Sequence, residues 1–162
     1  MKNIYKVIPE CQTNFVFAKK NPKNVMDVLG ISGRLVKSGR EVVTAGEIIY
    51  GGSQHVGTAV IQVCKKFPEI RSGLNIKYEP KIISNAKKSN FIVLNYDRSK
   101  EPKKSKQKEN SSISWGISNC LNSKSPDIIY HKGDIGKEPM IIIFGNNPSD
   151  IIQKVSKLRL AH

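Results

Sequence analysis

Tyr50-Gly51-Gly52-Ser53-Gln54-His55-Val56-Gly57 is the stretch on which the fold turns. It closes a β-prone run, Glu47-Ile-Ile-Tyr50, and opens the clearest helix of the chain. Val56, Ala59, Val60, Val63, Cys64 and Phe67 recur at helical spacing, and Pro68 stops them. Ser53 stands where an N-cap belongs, which puts Gln54, His55 and Val56 in the first turn. A strand that runs through a glycine turn into an amphipathic helix is the joint of an α/β domain.

Working outward, the remaining segments fit the same class. Asn14-Phe-Val-Phe-Ala18 is β-prone, and Asn21 to Gly30 reads as a short helix or turn ended by the glycine. Arg34-Leu-Val-Lys37 and Arg40-Glu-Val-Val-Thr44 form a hairpin around Ser38-Gly39. Downstream, Leu74 to Tyr78 is a strand, Pro80 to Lys88 a helix, and Phe91 to Tyr96 a largely buried strand. Ser112 to Leu121 is helical. Asp127-Ile-Ile-Tyr130 and the apolar Pro139-Met-Ile-Ile-Ile-Phe144 are strands, the second central. Asn147-Pro148 starts a last helix that buries Ile151, Ile152, Val155 and Leu158. Strands mixed with helices throughout predict one α/β domain with a covered sheet over residues 1–162.

Composition narrows the function. The chain of 162 residues is long enough for one domain with a real core. Its 27 basic and 13 acidic side chains give a formal charge of +14, which attracts polyanions: nucleic acid, membrane surfaces or phosphorylated small molecules. Part of that charge sits in Lys100-Glu-Pro-Lys-Lys-Ser-Lys-Gln-Lys-Glu-Asn110, within a basic stretch over 99–111 that reads as a surface loop. Basic residues interleaved with exposed aromatics are missing, which argues against a nucleic-acid surface. No apolar run approaches the roughly 20 residues of a membrane helix, and the polar N-terminus is no secretory signal. A soluble, cytoplasmic protein is the expectation. A homo-oligomer is compatible with the chain. Cys11, Cys64 and Cys120 are odd in number and widely spaced, so they form neither a disulfide framework nor a zinc site.

Polar groups collect at element ends, where α/β folds place functional side chains. The start of the helix after Gly51 and Ser53 offers free backbone N–H groups to an anion. His55 in its first turn either hydrogen-bonds an anion and shuttles a proton, or is a surface or capping histidine. Arg34 is a two-point phosphate ligand or an exposed strand arginine. Arg71, Asp97, Arg98 and Asp127 end or begin strands. Their carboxylates either hold Mg2+ through water or balance neighbouring charge; no tight acidic cluster commits the chain to a metal. Trp115 stacks on a flat heterocycle or packs in the core. Gly136-Lys137-Glu138 holds phosphate or makes a turn. His131 and His162 carry no assigned role. Walker, G-x-G-x-x-G, G-x-S-x-G and H-E-x-x-H sequences are absent.

Taken in order, these motifs resemble the archaeal, ThiN-type thiamine-phosphate synthase domain. The likeness is carried by Ile8-Pro9-Glu10 with Asn14; Gly33-Arg34; Gly51, Ser53, His55 and Val56; and Pro68-Glu-Ile-Arg71 with Asn75-Ile76 and Tyr78. It continues through Asp97-Arg98 with Glu101-Pro102; Trp115-Gly116; Pro126-Asp127 with Ile129-Tyr130 and Gly133; and Gly136-Lys137-Glu138-Pro139-Met140. It covers about residues 8 to 158, so the chain reads as a stand-alone copy. Three places depart from the pattern: Gln12-Thr13 replaces the usual glycine-serine, His131-Lys132 replaces an acidic residue and arginine, and the lysine-rich loop after Pro102 is unusual.

The resemblance implies a transferase that joins hydroxymethylpyrimidine diphosphate to hydroxyethylthiazole phosphate, giving thiamine phosphate and diphosphate. It maps the functional arginine and histidine onto Arg34 and His55. Asn14, Gly51, Ser53, Gln54, Arg71, Asn75, Asp97, Arg98, Trp115, Asp127, Lys137 and Glu138 are then expected to position the substrates. Mg2+ accompanying the diphosphate is the cofactor implied. The expected fold is a three-layer α/β/α domain with a mixed sheet, class II aldolase-like (AraD/HMP-PK-like), without the zinc site of those aldolases. The alternative functions are a non-catalytic domain that senses thiamine phosphate and, more remotely, a basic nucleic-acid module.

Overall fold

The structure, a computed structural model, describes residues 3–102 and 110–158. Residues 103–109, the middle of the expected basic loop, lie outside that range. Among the described residues there are nine strands: β1 (Phe15–Ala18), β2 (Val28–Ile31), β3 (Leu35–Ser38), β4 (Glu41–Thr44), β5 (Ile48–Tyr50), β6 (Ser72–Lys77), β7 (Val93–Asn95), β8 (Ile128–His131) and β9 (Met140–Gly145). The four α-helices are α1 (Gln54–Cys64), α2 (Pro80–Lys88), α3 (Ser111–Cys120) and α4 (Pro148–Lys157).

Seven strands form one mixed sheet in the order β5-β2-β1-β6-β9-β8-β7, and β3-β4 form a separate ribbon. Neighbours are antiparallel except β7 and β8, which run parallel because α3 carries the chain back between them. The alternation of β9 explains the layering. Met140, Ile142 and Phe144 pack with α1 and α3, whereas Ile141 and Ile143 pack with α2 and α4. A strand covered on both faces has to be apolar throughout, as this one is. Each fully buried aliphatic side chain contributes roughly 1.5–3 kcal/mol.

Local chemistry sets the joint between β5 and α1. Gly51 has φ 76°, a left-handed turn open to glycine. A Cβ on Gly52 would lie 2.3 Å from the Gly30 carbonyl oxygen, so the turn packs directly on β2. That contact corrects one expectation: Gly30 sits inside a strand instead of ending a helix. The preceding turn, Val25–Asp27, is a single 3-10 turn closed by a capping box between Asn24 and Asp27.

Two further expectations change. The strand expected over Phe91 to Tyr96 is a three-residue edge strand, half-covered because β8 alone flanks it. On α4, Ile151, Val155 and Leu158 are buried, while Ile152 is turned a quarter of the helix away and is exposed. No helix among the described residues is long and apolar enough to cross a membrane.

Candidate active site

The cleft opens at one end of the sheet, on the face covered by α1 and α3. There β1 and β9 begin, β6 and β8 end, and the N-terminus of α1 arrives. A cavity of about 820 Å³ is bounded by Asn14, Asn75, Lys77, Tyr78, His131 and Met140 from the strands, and by His55 and Val56 from α1. Glu10, Cys11, Gln12, Arg34, Arg98 and the Gly136–Pro139 turn complete it. A second cavity of about 460 Å³ adjoins it, lined by Ser32, Ile49, Gly51, Gly52, Ser53, Gln54 and Asn110. Asn14, Arg34 and His55 line both.

Arg34 stands at φ 69°, a left-handed backbone that costs a non-glycine residue roughly 1–2 kcal/mol. Its Nη1 donates to the Cys11 carbonyl. The Cys11 segment is itself clasped: the Glu138 carboxylate accepts from Glu10 N–H at 2.9 Å and from Cys11 N–H at 3.1 Å. Glu138 thus fixes the strap that fixes Arg34, and both of its oxygens already have protein partners. Glu138→Ala is expected to release the strap and lower kcat/KM about 10- to 100-fold, with a smaller loss for Glu138→Gln, which keeps one acceptor oxygen. Steady-state kinetics on the two variants checks this ordering. Cys11 is no thiolate nucleophile, because desolvation and the Glu138 carboxylate push its thiol up to about 11.

Positive charge dominates the remaining wall. Arg98 is 5% exposed and pairs with Glu101 at 3.4 Å. Its Nε has no hydrogen-bond partner among the described residues. Lys137 sits on a tight turn held by Asp134 and Lys137 exchanging backbone hydrogen bonds at 3.1 and 2.8 Å. The His55 side chain is exposed to the cleft. Desolvation by the protein around it, followed by Arg98, Arg34 and Lys137, lowers its pKa to about 4. The imidazole is therefore neutral at pH 7.

His131 is the residue that sequence reading passed over. It is the last residue of β8, 5% exposed, with Nδ1 accepting from Gly133 N–H at 3.1 Å. That bond assigns the proton to Nε2. Burial, then Arg98 and His55, lowers its pKa to about 3. Strand alternation was the available signal: His131 lies two residues after core Ile129 and so shares its face. Both histidines titrate lower folded than unfolded, so the unfolded chain binds more protons below pH 6.5. Stability is complete above about 6.5 and falls as pH drops towards 4 and then 3. The melting temperature is expected to fall by several degrees between pH 7 and pH 4.5, and less steeply in His131→Asn, as differential scanning calorimetry will show.

The other expected site residues divide. Asn14 lines the cleft, but its amide accepts from Ile31 N–H at 3.0 Å and donates to the Ile31 carbonyl at 2.8 Å, stitching β1 to β2. Asn75 likewise accepts from Asn14 N–H at 2.7 Å and donates to the Gln12 carbonyl at 3.0 Å. Both hold the scaffold of the cleft. Gly51, Ser53 and Gln54 border the smaller cavity, and Lys137 the larger.

Four residues line neither cavity. Arg71 precedes β6 at the end remote from the cleft, donates twice to the Ala18 carbonyl at 3.0 and 2.9 Å, and stacks on Phe17. Asp97 caps a turn through Ser99. Trp115 meets the edge of Tyr96 in the core, and a Cβ on neighbouring Gly116 would lie 2.2 Å from the Tyr96 ring. Asp127 joins Lys154 at 2.8 Å and Ile92 N–H at 2.8 Å, tying β8 to α4. Among the described residues no group of three or more His, Cys, Asp or Glu side chains converges as a metal site.

Comparison with known proteins places this arrangement. The family model for thiamine-phosphate synthase ThiN matches residues 1–157. Thiamine-phosphate synthase ThiN of Methanothermobacter thermautotrophicus is 37% identical over 154 residues, which are 94% of this chain and 81% of that protein. The bifunctional thiamine biosynthesis protein ThiDN of Methanocaldococcus jannaschii is 33% identical over 160 residues, 96% of this chain but 36% of that longer protein. A crystal structure of the C-terminal domain of a phosphomethylpyrimidine kinase superposes with a TM-score of 0.90 at 41% identity, covering 96% of this chain and 89% of that one. With a match along almost its entire length, the chain belongs to the thiamine-phosphate synthase ThiN family.

Proposed function

We propose that the protein joins hydroxymethylpyrimidine diphosphate and hydroxyethylthiazole phosphate to form thiamine phosphate, releasing diphosphate. One observation carries the reading: two adjoining cavities share a wall that presents Arg34 and His55 to both. Two phosphorylated substrates can occupy them and meet across that wall.

The chemistry needs this charge. The bond between the pyrimidine methylene carbon and the diphosphate oxygen breaks, and the electron pair leaves with the oxygen. The thiazole nitrogen lone pair then forms the new carbon–nitrogen bond. Negative charge grows on the departing oxygen, where Arg34, Lys137 and Arg98 oppose it from fixed positions. His55, neutral at pH 7, donates a hydrogen bond to the leaving group. The strained, strapped Arg34 needs little rearrangement as that charge develops.

Mg2+ would add further neutralisation of the diphosphate. Glu138 is occupied by backbone N–H groups and no carboxylate cluster converges among the described residues, so the donors there fit an ion held through phosphate oxygens and water. The helices on both faces of a mixed sheet support the class II aldolase-like arrangement as the finer fold assignment. Water-soluble phosphorylated substrates suit a cytoplasmic setting. The test is direct: purified protein with both substrates and Mg2+ forms thiamine phosphate above the uncatalysed rate. A folded sample that binds thiamine phosphate tightly without turnover would instead mark a sensor.

A further inference from the structure

We propose that the smaller cavity is the subsite for the phosphate monoester of the thiazole substrate, anchored by the Ser53 hydroxyl and the first-turn N–H groups of α1. This rests on the synthase reading and adds which substrate occupies which cavity. Helix α1 spans 11 residues and directs its N-terminus at this cavity through Ser53, Gln54 and His55. Such a terminus presents unpaired N–H groups and partial positive charge.

A second observation is independent of the helix. Ser53 occupies the N-cap with extended φ −143° and ψ 111°, the conformation in which serine ordinarily accepts from the first turn. It makes no such bond, although it is only 7% exposed. Among the described residues the hydroxyl of this largely buried serine has no hydrogen-bond partner, and it stands on the wall of a cavity, where a ligand can supply one. A phosphate oxygen supplies the missing partner and accepts from the neighbouring N–H groups as well.

Charge and shape assign the occupant. Among the described residues no carboxylate borders the smaller cavity, and Arg34 is the one fully charged group on its wall. That suits a monoester of about −1.5 to −2 charge. The larger cavity adds Arg98, Lys77 and Lys137 against the carboxylates of Glu10 and Glu138, and it remains the more positive of the two, which suits a diphosphate. Ile49, an exposed apolar side chain on the wall of the smaller cavity, gives the thiazole ring a surface. The thiazole then approaches the methylene carbon across the Arg34–His55 wall from the departing diphosphate.

Ser53→Ala removes the hydroxyl without removing a helix cap, because no capping bond exists. Its KM for hydroxyethylthiazole phosphate is expected to rise about tenfold, with the KM for the pyrimidine diphosphate unchanged within twofold. Lys137→Ala is expected to do the reverse. Ser53→Asp places a carboxylate that caps α1 itself and repels phosphate, so thiazole phosphate use is lost while the melting temperature holds or rises. Inorganic phosphate titration followed by amide NMR needs no turnover: the Gln54 and His55 N–H signals shift in the wild type and shift far less in Ser53→Ala. If the wild type makes no product yet shows these shifts, the synthase reading falls and the phosphate subsite stands. If Ser53→Ala changes the KM of the diphosphate substrate instead, or leaves both KM values and phosphate binding intact, the subsite assignment is overturned.

Discussion

Arg34→Ala lowers kcat by about 10²–10³-fold while the fold survives, the loss expected when one fixed group opposing transition-state charge is removed. Among the described residues Arg34 is the single cation lining both cavities, so its removal exposes each anionic substrate to the other's repulsion. Its backbone makes the prediction sharper. At φ 69° an alanine keeps the left-handed strain, whereas glycine relieves it. Arg34→Gly is therefore expected to be as inactive as Arg34→Ala but more stable by about 1 kcal/mol. Arg34→Lys keeps a point charge without the two-point fork and falls between them and the wild type. Turnover assays paired with thermal denaturation read both effects. Normal rates in Arg34→Ala would remove Arg34 from the chemistry.

His55→Ala is expected to cost about 10²–10³-fold in kcat, and His55→Gln appreciably less. The reason is the protonation state. With its pKa lowered to about 4 by desolvation and by Arg98, Arg34 and Lys137, His55 enters the reaction as a neutral N–H donor. An amide N–H can reproduce part of that role but cannot supply a proton. The kcat/KM profiles of wild type and His55→Gln should therefore have the same shape between pH 5 and 8. The substrate phosphate ionises near 6 and contributes equally to both. A step in the wild type that disappears in His55→Gln would make His55 a proton donor instead.

Much of the architecture was legible because it rests on local rules. The β5–α1 joint follows from a glycine turn and a 3.6-residue apolar period, and β9 from an apolar run that only a doubly covered strand tolerates. Errors arose where a contact distant in sequence decided. Gly30 read as a helix stop because nothing nearby announces that Gly52 will press on it. Asn14 and Asn75 line the cleft as expected of site residues, but only the fold shows that their amides also bind the Ile31 and Asn14 backbone. Arg71 and Asp127 lie at strand ends too, but at the ends remote from the cleft.

By itself the sequence determined most elements and the α/β class, since propensity and periodicity are properties of the chain; the pairing of Arg34 with His55 as the residues to test came from the family resemblance that its ordered motifs carry. The tertiary structure decided what those residues can do. It placed His131 on the cleft floor, engaged both oxygens of Glu138 in holding the strap behind Arg34, and set Arg98 and Lys137 beside His55. It also left Ser53 buried without its usual capping bond. Charge state and hydrogen-bond satisfaction depend on distance and desolvation, and the groups that determine them here, such as Glu138 and Cys11, stand 127 residues apart in the chain.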